Sequence, residues 1–190
     1  MLIDSNSNGF ITTENFDFCI IGGGPVGITT ALNLRKNSSI FLAEAGSTEY
    51  SESSQKNYDH DETVNYFDNK NEPYRLRFFG GTSNHWGGNV FGYNKEDIPI
   101  KFDEFLKYEA KAKKILGIKY EKNFSFGNDI NVSNYARSTV NFGEKYTNEI
   151  KKRKNIFGHL NCNLINLNMI EDKVASVTFS NYKGEKKLIG

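Results

Sequence analysis

The chain has 190 residues, enough for one sizeable core or for a domain plus an arm. Its charged residues balance to a net charge of +1, so the basic surplus that nucleic acid demands is missing and nucleic acid is set aside as a partner. No apolar run approaches the roughly 18 residues of a membrane-spanning helix, and the opening MLIDSNSNGF has neither the basic start nor the apolar stretch of a signal peptide.

In chain order, residues 1–15 read as a polar arm with strand character at Leu2, Ile3, Phe10 and Ile11. Residues 16–21, FDFCII, form a short apolar run that predicts a buried strand of the parallel type. Gly22, Gly23 and Gly24 break it, and Pro25 suits a first helical position, where its missing N–H is no loss. Val26, Ile28, Ala31, Leu32 and Leu34 then supply a helical apolar face. Ser38 and Ser39 end that helix, and IFLAEAG predicts a second strand. The whole is a strand–helix–strand unit of roughly 30 residues.

Residues 46–72 are polar and without clear period, a long surface excursion. A helix is predicted over 102–116, capped by Asp103, with Phe105, Tyr108, Ala112 and Ile115 on one face and Gly117 as its stop. A second helix is predicted over 142–153. From His159 onward, Leu160, Cys162 and Leu164 alternate with polar residues, Leu167 and Met169 resume after a shift, and Ala175, Val177 and Phe179 follow the turn at EDK. KKLIG starts a third strand, so the region predicts an antiparallel meander. The fold expected is α/β, a Rossmann-like dinucleotide-binding fold with that meander, incomplete at the C-terminal side. The expected division is an arm over 1–15 and one cofactor-binding domain over 16–190.

Gly22, Gly24 and Gly27 satisfy G-x-G-x-x-G in its proper context, with a strand before it and a helix after. Gly22 permits the tight turn, Gly24 lets a pyrophosphate approach the backbone, and Gly27 lets helix and strand pack closely. The helix beginning at Pro25 offers its leading N–H groups and partial positive charge to the phosphates. Glu44 follows Gly24 by twenty residues and can accept hydrogen bonds from both ribose hydroxyls, which disfavours a 2′-phosphate and hence NADP. NAD and FAD both use this fingerprint.

The stretch RFFGGTSNHWGG, residues 77–88, bears on that choice. An NAD domain needs no second glycine-rich loop, whereas FAD is longer and its flavin end needs a cradle. With IIGGGPVG, LAEAG and FGGTSNHWGG in this order, the chain resembles the glucose–methanol–choline (GMC) oxidoreductases, FAD enzymes whose dinucleotide unit is followed by such a loop. The resemblance covers nearly the whole chain and implies FAD as cofactor, with Gly80, Gly81, Thr82, Ser83 and Asn84 along the pyrophosphate and flavin. Several family members carry a histidine in this loop bonded to the flavin 8α-methyl, and the matching residue is His85. The resemblance therefore makes His85 a candidate for a covalent tether that raises the flavin's reduction potential; a noncovalent contact or a loop-stabilising hydrogen bond is the other reading.

The resemblance further implies oxidation of an alcohol carbon, a sugar or polyol, with a small-molecule alcohol as substrate and an electron acceptor left open. The catalytic base and the substrate domain are expected beyond Gly190, so the 190 residues are not expected to turn over alone. Two other readings stand beside it: a noncatalytic remnant with residual nucleotide binding, and an NAD-linked Rossmann protein, which leaves the second loop unexplained. Trp86 is read as packing, and Arg75 and Arg77 as surface residues that could also offset pyrophosphate charge. His60, among Asp59, Asp61 and Glu62, is read as solvated, and KKRK at 151–154 as the solvated end of a helix. His159 has no evident partner. Cys19 and Cys162 make no metal spacing, so no bound metal and a reduced, cytoplasmic setting are expected.

Overall fold

The computed structural model describes residues 1–10, 15–58, 75–93, 95–98, 100–119, 122–126 and 130–190. The cluster around His60, and Ile11 of the arm, lie outside the described residues. The elements in order are β1 (Leu2–Asp4), α1 (Ser5–Asn8), β2 (Phe18–Ile21), α2 (Pro25–Asn33), β3 (Ile40–Ala43) and α3 (Glu52–Gln55). Short 3-10 turns follow at Lys56–Tyr58 and Gly81–Asn84, then β4 (Asn89–Val90), α4 (Phe102–Ile115), β5 (Lys122–Phe126) and β6 (Ile130–Arg137). The chain ends with α5 (Phe142–Lys152), β7 (Ile156–Leu160), β8 (Asn163–Ile170), β9 (Lys173–Ser180) and β10 (Lys186–Ile189). Two compact units result: Met1–Asn84 with Asn141–Gly190, and His85–Val140.

The first unit is built on a parallel sheet in the order β1-β7-β3-β2. β3 has a strand on either side, and Ile40, Phe41, Leu42 and Ala43 are all buried. Among the described residues β2 pairs with β3 alone, which corrects the expectation of a buried strand over 16–21: Phe18 is 42% and Ile21 49% exposed. The apolar composition is that of an interior strand, but here it occupies an edge. Val26, expected on the buried face of α2, is likewise exposed, and Ile28 and Ala31 carry the packing.

The N-terminal arm joins this sheet. Leu2, Ile3 and Asp4 stand in register with Gly158, His159 and Leu160 of β7. Asp4 caps α1, its carboxylate accepting from the Asn6 N–H at 2.9 Å and from the Asn161 amide at 2.8 Å. β7 is the second correction. Residues 156–160 complete the parallel sheet rather than open the meander, and the chain leaves them through Asn161, at φ 53°. His159 also acquires its partners: it is fully buried, with Nδ1 3.0 Å from Ser5 Oγ. Its ring lies between those of Phe10 and Phe41, with centroids 5.8 and 5.0 Å away.

β8, β9 and β10 form an antiparallel sheet. Val177, Phe179 and Ile189 from it cluster with Phe41, Ala43 and Cys162, and Phe10 and Phe16 pack against the cluster. This is where the apolar alternation along β9 is used.

In the second unit, β4 and β5 flank β6, antiparallel to both. α4 spans nearly the predicted residues, but its N-cap is Lys101 without a side-chain bond, and Asp103 lies in the first turn, where its charge suits the helix N-terminus. None of its residues is buried; Tyr108, expected on a packed face, is 62% exposed. Gly117, at φ 67°, ends the helix as its position predicts, and the Ile118 N–H returns to the Lys113 carbonyl at 2.9 Å.

The contrast between β3 and β2 has a measurable consequence. Phe41→Ala, which empties a fully buried site, is expected to cost about 3–5 kcal/mol, while Phe18→Ala on the open edge costs less than about 1 kcal/mol. Urea denaturation of the two variants beside the parent checks this.

Candidate functional site

The G-x-G-x-x-G segment lies between the end of β2 and the start of α2. Gly22 adopts φ 105°, closed to most side chains, and its N–H donates to the Ala43 carbonyl at 2.7 Å. A Cβ on Gly27 would stand 1.9 Å from the Gly22 carbonyl oxygen, so the third glycine is fixed by helix–turn contact.

Gly24 is different. It sits in ordinary extended backbone, φ −80°, and a Cβ added there would meet nothing within 4 Å. Neither its backbone conformation nor any contact to an added Cβ requires glycine at this position. Gly24 is also the N-cap of α2 and offers no side-chain cap, with Pro25 next to it. The leading N–H groups of the helix therefore face a position kept clear of side chain, as an anion site needs.

Glu44 follows directly after β3 and is almost completely buried. One carboxylate oxygen accepts the Gly23 N–H at 2.7 Å and the other the Gly46 N–H at 2.8 Å. These are charge-assisted bonds to backbone, and a carboxylate has room for about two further acceptor contacts. The structure thus shows the acid holding the turn, a role additional to the ribose contact expected of it.

The second loop is bound to the first through backbone. The Gly80 N–H donates to the Gly23 carbonyl at 2.7 Å, and the Phe79 N–H to the Ser47 carbonyl at 2.8 Å. A Cβ on Gly81 would lie 3.2 Å from Gly24 Cα. One on Gly23 would strike the Phe79 ring at 2.9 Å, and one on Gly46 the Arg77 carbonyl oxygen at 1.9 Å. The two motifs, more than fifty residues apart, form one glycine-lined corner. Gly23 and Gly46 are members that pattern matching passes over. Their signal is present in the runs GGG and EAG, but only the fold shows what presses on them.

The polar residues of the second loop are largely engaged with the protein. Thr82 Oγ1 accepts from the Leu76 N–H at 3.3 Å, and Asn84 donates its amide to the Phe79 carbonyl at 2.8 Å. Ser83 is buried; its hydroxyl donates to the Gly80 carbonyl at 2.6 Å and accepts from the Phe142 N–H at 3.1 Å. Arg75 and Arg77 lie over the Tyr58 ring, 4.6 and 5.3 Å from its centroid, and Arg77 also donates to Asn163.

The first unit therefore brings together Gly22, Gly24, Pro25, Gly27, Glu44, Gly80, Gly81, Thr82, Ser83 and Asn84. His85 is the first residue of the second unit and its side chain is exposed. Within that unit Trp86 is half-buried and donates its indole N–H to the Val140 carbonyl at 3.0 Å. Gly88 packs against the Ser138 backbone, so the second glycine pair of the stretch includes a strand-pairing residue. No group of three or more metal-ligating side chains is assembled among the described residues, and no described helix is long and apolar enough to cross a membrane.

No protein-family model matches the chain, and no curated protein matches it by sequence. Solved structures do. A crystal structure of formate oxidase aligns over 95% of this chain and 44% of its own, at 17% identity and TM-score 0.60. The chain shares its fold with formate oxidase. A myxobacterial chondrochloren halogenase, described as a FAD-dependent halogenase, aligns over 93% of this chain and 36% of its own, at 15% identity and TM-score 0.49. The chain thus spans less than half the length of either neighbour.

If Glu44 holds the corner, it does so before any ligand arrives. Glu44→Gln, which puts an N–H donor where one backbone N–H now finds a carboxylate oxygen, is expected to destabilise the ligand-free protein by about 1–3 kcal/mol. Chemical denaturation without added nucleotide checks it; an unchanged midpoint would assign Glu44 to ligand contact alone.

Proposed function

We propose that the chain is the FAD-binding part of a GMC-type oxidoreductase that oxidises the CH–OH group of a small alcohol, a sugar or polyol. The observation that carries FAD binding is Gly24, a glycine that the protein's own packing and conformation do not demand, placed at an uncapped helix N-terminus. The shared fold supports it, since formate oxidase is a GMC oxidoreductase. The FAD reading is favoured over NAD because the second loop is joined to the first by backbone, which extends the cradle beyond what the strand–helix–strand unit provides.

In this reading the N–H groups at the start of α2 and the Gly24 position receive the pyrophosphate. Glu44 uses its remaining lone pairs for the ribose hydroxyls. Gly80, Gly81, Thr82, Ser83 and Asn84 border the flavin side mainly with backbone, since their side chains are engaged. FAD, once bound, supplies the hydride acceptor for alcohol oxidation. His85, exposed and next after Asn84, is the proposed covalent anchor to the flavin 8α-methyl. No residue of the chain is assigned as the base that takes the hydroxyl proton.

Two tests address this. Gly24→Val is expected to keep the far-ultraviolet dichroism and cooperative unfolding of the parent, at a cost of about 1 kcal/mol for the poorer N-cap residue, while weakening FAD binding at least about tenfold. Undiminished FAD affinity in a folded Gly24→Val protein would contradict the reading. For the anchor, acid precipitation of the FAD-loaded protein is expected to leave the yellow chromophore on the polypeptide, and His85→Ala to release it to the supernatant.

A further inference from the structure

The site above has a third wall that neither glycine motif contains. α5 begins beside the second loop, its N-cap Asn141 accepting from the Glu144 N–H at 3.0 Å. The next two residues press on the loop itself. The Phe142 N–H, an end group that the helix cannot satisfy internally, is taken by the buried Ser83 hydroxyl at 3.1 Å, and that hydroxyl in turn donates to the Gly80 carbonyl. A Cβ on Gly143 would stand 2.5 Å from the Phe79 carbonyl oxygen and 2.8 Å from Asn84 Oδ1. The exclusion is mutual: a Cβ on Gly80 would stand 2.4 Å from the Gly143 nitrogen and 2.7 Å from its Cα.

Gly143 lies in the first turn of α5, at a position with no positive φ, where its conformation does not call for glycine and alanine is the better helix former. Helix propensity thus opposes glycine here, and the loop contact explains it. Contact runs from Gly143 to Gly80, and from Gly80 through its N–H to the Gly23 carbonyl beside Gly24. We propose that Gly143 is a positioning residue for the FAD pyrophosphate and flavin: together with Ser83 it holds Gly80 and Gly81 against Gly23 and Gly24, and so sets the width of the cofactor cradle. The proposal rests on the FAD reading given above.

The test is Gly143→Ala, with Lys151→Ala in the last turn of the same helix as control. Two readouts are followed: FAD and AMP titrations, and hydrogen exchange at the Gly80 amide without ligand. Loop displacement is expected to weaken FAD binding at least about tenfold and to speed exchange at Gly80. AMP, which lacks the pyrophosphate and flavin, stays within about twofold of the parent, as a general loss of structure would not allow. Unchanged FAD affinity with unchanged Gly80 exchange would overturn the proposal, as would equal loss of FAD and AMP binding. If Gly143→Ala fails to fold, Ser83→Ala, which removes both the acceptor for the Phe142 N–H and the donor to the Gly80 carbonyl, is judged by the same outcomes. A parent protein that binds no FAD refutes the FAD reading instead, and the Gly80 exchange then decides the positioning claim alone.

Discussion

One buried carboxylate organises the corner where this chain's two glycine-rich loops meet. Glu44 leaves β3 pointing inward and takes the N–H groups of Gly23 and Gly46 on its two oxygens. A carboxylate removed from water is costly unless such donors surround it. The first bond fixes the middle of the turn between β2 and α2. The second fixes the backbone that follows β3, which lies against Arg77 and Phe78. With both in place, the Gly23 carbonyl is presented to the Gly80 N–H, and the second loop joins the first. The acid expected to meet a ribose is thus observed in a structural task.

The glycines of the two loops divide by cause. Gly22 answers to conformation, and Gly23, Gly27, Gly46, Gly80 and Gly143 to the backbone or side chains that press on them. Gly24 answers to neither, which is why the proposed pyrophosphate site is placed there. A loop built only to turn a corner would leave that position free to hold any side chain. A loop that receives a phosphate keeps it bare.

The sequence exposes what depends on local period and leaves obscure what depends on neighbours. α2, β3, α5 and the acid at 44 follow from apolar spacing, capping residues and a known turn. β2 shows its strand character but not its place at an edge, because composition records apolarity and not which flank is covered. In the sequence β7 merges into the meander because its Leu160 alternates with Cys162 and Leu164; the turn at Asn161, with positive φ, parts the two sheets. His159 finds its partners 154 residues away at Ser5, and in two rings that no local pattern connects. The face of α4 is amphipathic by spacing, yet none of its residues is buried. Gly143 looks like a blemish in a helix until the loop it touches is seen.

Joined through backbone, the two loops are expected to respond to FAD as one. Hydrogen exchange across the wild-type chain, with and without saturating FAD, tests it most directly. Amides from Gly22 to Ile28 and from Gly80 to Asn84 are expected to gain protection together, with the start of α5 following. Protection confined to the first segment, with the second exchanging as in the free protein, would contradict it and leave a plain dinucleotide turn beside an unrelated loop.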